Sequence, residues 1–227
     1  MINFELRLPR VGLAGLLFGA GYDKICHEIS KDNMASDYRK IVQAVAYLAQ
    51  KSGAEGLNRL HAFKLLYLAD RDHLRRCGSL ITGDSYNAMK FGPLPVAAER
   101  LLKSKRAPEA ERGYADQYLR MESTGRTSAM IHCKAVDSDQ LSKQEIDSLD
   151  LAWSVYQRTP DIVEYTHEFP EWKRADKKRV AGVAAVPMKI ADFFLAAPKD
   201  VEYCAADPEW VSSSKELYGE STWVDAL

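Results

Sequence analysis

The sequence predicts a mainly α-helical α+β protein, a multi-helix bundle around a central apolar helix with a small antiparallel β-hairpin. Three observations indicate this fold class. Residues 57–78 place apolar side chains around much of a helical circumference, which is typical of a helix covered on several sides. Residues 37–51 and 142–158 each carry an apolar stripe at helical spacing. Residues 117–136 alternate in part around Gly125, as the two strands of a hairpin do.

The composition is that of a soluble globular chain without a strong charge bias. Of the 227 residues, 46% are hydrophobic and 28% are charged, and the formal net charge is −1. There is therefore no global basic field to attract nucleic acid or an anionic membrane. The uncharged run at residues 11–22 is too short to span a bilayer; it is long enough for a signal-peptide core, but its flank is a poor cleavage site. The four cysteines are widely spaced and include no Cys-x-x-Cys pair, which is typical of reduced thiols, so we expect a cytoplasmic protein without membrane contact.

The apolar patterns divide the chain into three parts. They begin near Met34, so residues 1–33 are predicted to be a loosely ordered N-terminal extension, with Met34 as an alternative start. Residues 34–199 hold the regular patterns and are predicted to form the folded domain. Residues 200–227 form a tail with seven acidic residues and one basic residue, Lys215. This tail is expected either to help bind a basic partner or to pack on the basic stretch of its own chain.

The first two helices have recognisable ends. Ser36 or Asp37 is placed to cap the helix at residues 37–51, and Gly53 supplies the permissive backbone that a helix end needs. The central helix ends at Gly78, after two arginines that favour the negative end of the helix dipole. Both helices are therefore predicted with defined boundaries.

The segment after the central helix changes pattern several times. Thr-Gly-Asp at residues 82–84 is typical of a turn, and residues 86–91 alternate at strand spacing. Proline disfavours the α-conformation of the residue before it, so Gly92 and Leu94 are expected to be extended. Pro95 has the fixed φ of a first helical turn, and an apolar helical pattern follows it. The sequence thus predicts a short strand, a rigid corner and a further helix.

The second half of the chain alternates between helical and irregular patterns. Residues 103–113 are predicted to be a charged linker. Ser142 followed three residues later by Glu145 is a capping box, which marks the start of a helix. Residues 159–169 then predict a short helix, followed by a turn at residues 170–172.

A search for catalytic chemistry finds no nucleophile elbow, phosphate-binding loop or dinucleotide fingerprint. Asp70 and His73 share a helical face and would bind a metal with a third ligand, although such a pair is more typical of a polar contact within a helix. We therefore predict no catalytic, cofactor-binding or metal site and no enzymatic activity. The alternative in this class is an unrecognised catalytic site around Asp70, His73 and His167.

One basic cluster, WKRADKKR at residues 172–179, stands out from the near-neutral composition. It is either a solvated helix face or a contact for nucleic acid. The second functional interpretation is therefore a regulator, encoded by a phage or mobile element, that contacts nucleic acid through this cluster. The net charge of the whole chain disfavours it.

Two separated blocks carry recognisable motifs. The first, FKLLYLADRDHLRRCGSLITGDSYNAMKFGPLP at residues 63–95, has a Lys-Leu-x-Tyr-x-Ala-Asp-like helix, an Ile-Thr-Gly turn and an aromatic-Gly-Pro-x-Pro corner. The second consists of LSKQEIDSLD at residues 141–150 and YTHEFPEWKRA at residues 165–175. In this order the blocks resemble the Panacea domain of the SocA-like antitoxin family, and the resemblance extends over residues 37–197.

This resemblance implies a predominantly helical antitoxin of a toxin–antitoxin system. Such a protein would neutralise, by direct protein contact, a cognate protein toxin encoded by a neighbouring gene. The first-described family member is a proteolytic adaptor, which implies a Clp-type protease as a further partner. No cofactor follows from the resemblance.

The family motif supplies the candidate toxin-binding residues. They are Lys64, Tyr67, Asp70, Tyr86, Gly92, Pro93, Pro95, His167 and Trp172. The glycine and the prolines set backbone angles, while Tyr67 and Trp172 are expected to fill core. Lys64, Asp70 and His167 belong either to a buried polar network or to a partner surface. The corner is either scaffold that turns the chain back onto the central helix or a rigid loop that meets the toxin.

Overall fold

The computed structural model describes residues 36–103, 107–125, 128–181, 183–198 and 206–224. The N-terminal extension predicted at residues 1–33 lies outside these ranges. No helix in the described part of the chain combines the length and hydropathy that a membrane span requires.

The described residues form eight α-helices and six β-strands. The helices are α1 (Tyr38–Lys51), α2 (Arg59–Cys77), α3 (Val96–Lys103), α4 (Glu109–Tyr118), α5 (Lys143–Arg158), α6 (Ile162–His167), α7 (Pro170–Asp176) and α8 (Pro208–Val224). The strands are β1 (Leu57–Asn58), β2 (Tyr86–Met89), β3 (Gly92–Pro95), β4 (Leu119–Ser123), β5 (Ala129–Cys133) and β6 (Ala185–Pro187). Short 3₁₀ turns lie at Gly53–Glu55, Ser138–Gln140 and Ile190–Phe194. The predicted mainly α, α+β class is confirmed.

Helix α2 lies at the centre of the fold, as its apolar circumference predicts. Of its 19 residues, 15 are buried. The Asn58 side chain caps the helix by accepting from the backbone N–H of Leu60 at 2.9 Å, and Gly78 ends it with a φ of 75°. Helices α5 and α8 and strand β3 make its most extensive contacts. Because it is covered on several sides, α2 also buries charged side chains, which need partners from the surrounding elements.

The strands form two three-stranded antiparallel sheets. The first has the order β1-β5-β4, and its β4–β5 pair is the predicted hairpin, with Met121 opposite Ile131. The second has the order β3-β2-β6, in which Met89 of β2 pairs with both Gly92 and Ala185. Beyond β2, the sequence pattern does not predict this second sheet. Its outer strands have only three or four residues each and contain prolines, which weaken the strand signal.

The corner between β2 and α3 differs from the prediction in two details. Gly92 lies in β3 but has a φ of +83°, in the left-handed region rather than the extended one. A Cβ atom at this position would lie 2.6 Å from Oγ1 of Thr166 and 3.1 Å from Nζ of Lys64, so glycine is also required for clearance. Helix α3 begins at Val96, and Pro95 remains the last residue of the strand.

Two segments predicted as irregular are helical instead. The predicted linker at residues 103–113 contains the beginning of α4, whose N-cap is Pro108. Gly113 is accommodated within α4, where a Cβ atom would meet nothing within 4 Å. The predicted turn at residues 170–172 is the first turn of α7, a position that suits Pro170 because its missing N–H has no acceptor there.

Part of the acidic tail is also regular structure. Helix α8 packs against α2 and the Ile190–Phe194 turn. Ser214 is buried in this contact, and a Cβ atom on Gly78 would lie 3.0 Å from the Ser214 carbonyl oxygen. The helix therefore covers the carboxyl end of α2, and its principal contacts are not with the basic cluster at residues 172–179.

Candidate functional site

A buried network of charged and polar side chains surrounds α2. Asp70 is fully buried and accepts hydrogen bonds from the Thr82 N–H (3.0 Å), the Thr82 hydroxyl and the Tyr86 hydroxyl (2.6 Å). Burial raises the pKa of the Asp70 carboxyl to about 6. These bonds fasten α2 to the turn at residues 82–84 and to β2.

The same turn also caps α3. The Asp84 carboxylate accepts from the backbone N–H groups of Ala97 and Ala98, at 2.8 Å each. The Thr82 hydroxyl oxygen accepts from the Asp84 N–H at 3.1 Å, and Gly83 between them has a φ of 60°. A carboxylate at a helix N-terminus satisfies the free N–H groups there and favours the helix dipole. The Thr-Gly-Asp turn therefore has a structural role.

Lys64 of α2 donates a hydrogen bond to the backbone of the corner at residues 92–95. Its side chain is 1% exposed, and its Nζ donates to the carbonyl oxygen of Pro93 at 2.6 Å. Burial lowers the pKa of its ammonium group to about 7. Gly92 and Thr166 lie close to it, because a Cβ atom on Gly92 would be 3.1 Å from Nζ of Lys64 and 2.6 Å from Oγ1 of Thr166. The backbone of the β2–β3 hairpin thus packs against α2 and α6.

A buried ion pair joins α2 to α7. One oxygen of Glu171, Oε1, accepts from the Tyr67 hydroxyl and from Nε of Arg71, both at 2.6 Å. The guanidinium of Arg71 lies 4.7 Å from the centroid of the Phe169 ring and donates to the Leu195 carbonyl oxygen at 2.7 Å. Sequence reasoning missed Arg71 and Glu171. The available signal was that Arg71 lies one helical turn after Tyr67 and that Glu171 lies inside the second family block.

Arg75 extends this network by one more turn of α2. Its Nη1 donates to the carbonyl oxygens of Phe193 (3.3 Å), Phe194 (2.7 Å) and Leu195 (3.1 Å). The sequence predicts Arg75 only as a basic residue that favours the end of the helix dipole. In the structure it holds the 3₁₀ turn that follows β6 against the central helix.

The polar residues considered for catalysis do not form a joint site. Asp70 is bonded to Thr82 and Tyr86, whereas Nδ1 of His73 lies 2.8 Å from the Ser79 carbonyl oxygen. Burial lowers the pKa of the His73 imidazole. Among the described residues, no group of three or more His, Cys, Asp or Glu side chains is placed to hold a metal ion.

His167 and Trp172 form a stacked pair between α6 and α7. Their ring centroids are 4.1 Å apart and the planes differ by 19°. Nδ1 of His167 lies 3.4 Å from a carboxylate oxygen of Glu164. Both rings are half-buried, so this pair combines packing between the two short helices with a partly accessible edge.

Most of the candidate toxin-binding residues are not accessible to a partner. Seven of the nine are buried, and they are Lys64, Tyr67, Asp70, Tyr86, Gly92, Pro93 and Pro95. Lys64 and Asp70 lie in a buried polar network, and Tyr67 lies in the core. These side chains determine the shape of the surface above them.

The basic cluster is largely paired within the chain. Lys173 lies 2.8 Å from Glu168, and Arg174 lies 3.1 Å from Asp192. Arg179 similarly pairs with Asp176 at 2.7 Å. These contacts reduce the local positive field that a nucleic-acid surface would need.

The chain contains a helical domain whose motif residues form a buried network around one central helix. Residues 63–173 match the family described as antitoxin SocA-like, Panacea domain, so the resemblance predicted from the sequence is confirmed over about half of the chain. No curated protein and no solved structure gave a match.

Proposed function

We propose that this protein is the antitoxin of a toxin–antitoxin pair and that it neutralises a cognate protein toxin by direct contact. The observation that carries the proposal is the family match over residues 63–173, which includes both the corner and the Thr-His-x-x-x-x-Trp segment. The toxin is expected to be the product of a neighbouring gene. The protein acts in the cytoplasm by binding, without a catalytic step or cofactor.

The arrangement of buried charge supports a binding role. Asp70, Lys64 and Glu171 each have a specific structural partner from another element. Groups that are held in this way stabilise a defined shape, and preorganised surfaces lose little conformational entropy on binding. A rigid shape is what a protein that occludes a toxin needs.

Co-expression tests the proposal directly. The reading frame next to this gene is expressed from one inducible promoter and this protein from another, and growth is recorded with either and with both. The adjacent product alone should arrest growth, and co-expression should restore it. An empty second vector and an unrelated toxin serve as controls. An adjacent product that is toxic but is not neutralised would overturn the proposal.

Purified components separate direct contact from proteolytic delivery. Direct contact predicts a stoichiometric complex on size-exclusion chromatography, and the toxin activity should be inhibited in the absence of any protease. A proteolytic adaptor for a Clp-type protease would instead shorten the half-life of the toxin in cells and lose its effect when that protease is deleted. Restored growth that depends wholly on the protease would replace direct neutralisation with the adaptor mechanism.

The nucleic-acid alternative has less support. Three of the basic side chains between residues 172 and 179 are already paired with carboxylates of the same chain. A fluorescently labelled duplex of the promoter region provides the check. We expect no binding beyond the weak, strongly salt-dependent association of an average protein surface.

A further inference from the structure

Three large apolar side chains are exposed near one end of the β3-β2-β6 sheet. Phe91 is 58% exposed, Val180 is 66% exposed and Val183 is 40% exposed. Phe91 belongs to the two-residue turn between β2 and β3, directly after the last ladder pair, Met89 with Gly92. Single exposed apolar residues are ordinary, but a group of them at one place is typical of an interaction surface.

The pairing of β2 with β6 places Phe91 and Val183 at the same end of the sheet. Met89 pairs with Ala185 in an antiparallel ladder. Phe91 follows Met89 by two residues and Val183 precedes Ala185 by two residues, so both lie beyond the same end of the β2–β6 ladder. The N–H of Val183 donates to the carbonyl oxygen of Val180 at 3.0 Å, which keeps Val180 at the same end of the sheet. We call Phe91, Val180 and Val183 the tip patch.

Three lysines adjoin the residues of the tip patch in the chain. Lys90 precedes Phe91, and its Nζ lies 5.6 Å from the centroid of the Phe91 ring. Lys177 and Lys178 precede Val180 in the connection from α7, and all three lysines are exposed. Within the described ranges, no salt bridge involves any of the three. The patch therefore has an apolar centre and a positively charged border.

Buried motif residues hold the tip in place. Lys64 donates to the Pro93 carbonyl oxygen, and Gly92 packs against the Thr166 hydroxyl. Pro93 and Pro95 have no backbone N–H, so β3 is a poor template for an additional strand. A partner would therefore contact the tip through side-chain packing. Because the tip is already ordered, binding would lose little conformational entropy there.

We propose that the tip patch is the surface that binds the toxin, and that the complementary toxin surface is an apolar pocket bordered by carboxylates. This inference rests on the proposed antitoxin function and adds the partner's surface chemistry to it. An aromatic anchor in an apolar centre with a charged border is the common organisation of protein interfaces. The border lysines select an acidic rim by charge complementarity.

The test is a binding titration with the purified product of the adjacent reading frame. Isothermal titration calorimetry compares the full chain with the double variants Phe91→Ser/Val183→Ser and Lys177→Glu/Lys178→Glu. The first should bind roughly 30-fold more weakly or worse, as expected for the loss of an interface hot spot. The second should bind more weakly at low salt and approach the unmodified chain at high salt, because screening removes the charge contribution.

Met121→Ser is the matched control, since Met121 is an apolar side chain of β4 with 38% exposure in the other sheet. It should bind as the unmodified chain does. Thermal unfolding of every variant confirms that binding is measured on folded protein. Trp210→Ser, on α8, is a fourth variant, because Trp210 is 49% exposed.

The outcomes separate this inference from the proposed function. If the unmodified chain does not bind the adjacent product, the proposed function and the inference both fail. If it binds and Phe91→Ser/Val183→Ser binds equally well, only the inference is wrong. Loss of binding by Trp210→Ser alone would move the interface to α8. Tighter binding by Lys177→Glu/Lys178→Glu would show that the toxin surface has a basic border. A dimer of this protein that is lost in Phe91→Ser/Val183→Ser, with unchanged toxin binding, would assign the patch to contact with a second copy. Each of these results overturns the inference.

Discussion

The buried ammonium group of Lys64 makes the stability of this protein depend on pH in a defined window. Burial lowers the pKa of Lys64 from 10.5 to about 7 in the folded chain. Between these two values the unfolded chain holds a proton that the folded chain has released. The free energy of unfolding contributed by this group therefore rises with pH across the window. From pH 8 to pH 10, linkage between the two pKa values gives a rise of about 2–3 kcal/mol.

Lys64→Met should remove this dependence. Methionine fills a similar volume without a titratable group, but it leaves the Pro93 carbonyl oxygen without its donor, at a cost of about 1–3 kcal/mol. That cost is similar to the roughly 3 kcal/mol by which burial of the ammonium destabilises the unmodified chain at pH 8. The two proteins should therefore have comparable free energies of unfolding at pH 8, and the variant should be about 2–3 kcal/mol less stable than the unmodified chain by pH 10.

Urea unfolding followed by tryptophan fluorescence, at half-unit steps from pH 8 to pH 10, measures the difference. Lys143→Met is the matched control for the loss of a lysine, because the Lys143 side chain is 85% exposed. Other groups that titrate in this range are common to the three proteins and cancel in the comparison. A constant difference between Lys64→Met and the unmodified chain over the whole range would refute the reasoning.

Three further substitutions test the role of the motif positions. Gly92→Ala should lower the free energy of unfolding by about 2 kcal/mol more than Gly53→Ala does. Both glycines have positive φ, but of the two only Gly92 lacks room for a Cβ atom. Equal losses of the two variants in urea unfolding would contradict this. Glu171→Gln should cost about 3 kcal/mol, since it weakens a buried ion pair, and a loss below about 1 kcal/mol by thermal unfolding would argue against an energetic role for the pair. Pro93→Ala with Pro95→Ala should cost about 1 kcal/mol through unfolded-state entropy, and unchanged toxin affinity of the folded double variant would show that the corner is scaffold alone.

The elements that the sequence predicts well are those with strong local signals. The apolar circumference of α2 and the Ser142–Glu145 capping box are both confirmed. The β4–β5 hairpin is confirmed as well. In each case the residues that determine the element lie within or next to it, so the local pattern is sufficient.

The missed elements depend on partners distant in sequence. Strand β1 has two residues and exists because Leu57 pairs with Ile131. Helix α4 begins after a proline and contains a glycine, and its Tyr114 and Ala115 contribute packing that outweighs the low local propensity. Local propensity is a weak guide where tertiary contacts decide the conformation.

The residues of the candidate site also depend on contacts that the local sequence does not predict. The family motif identified Lys64, Asp70 and Tyr67 as important positions, and the structure places all three in the core. The partner of Tyr67 and Arg71 is Glu171, about 100 residues away along the chain, and no periodicity in the sequence connects them. The exposed tip residues carry no pattern of their own, because exposure is a property of the assembled surface.

The long separations in the α2 network have a consequence for protein synthesis. The hydrogen-bond partners of Arg71 are synthesised long after it: Glu171 follows 100 residues later and the carbonyl of Leu195 follows 124 residues later. At about 5–20 residues per second, a ribosome needs roughly 6–25 seconds to supply the last of these partners. The central helix cannot bury its charges before then, and a nascent or prematurely terminated chain has no finished core. Under the proposed function, neutralisation would therefore begin only after the chain has been translated past Leu195.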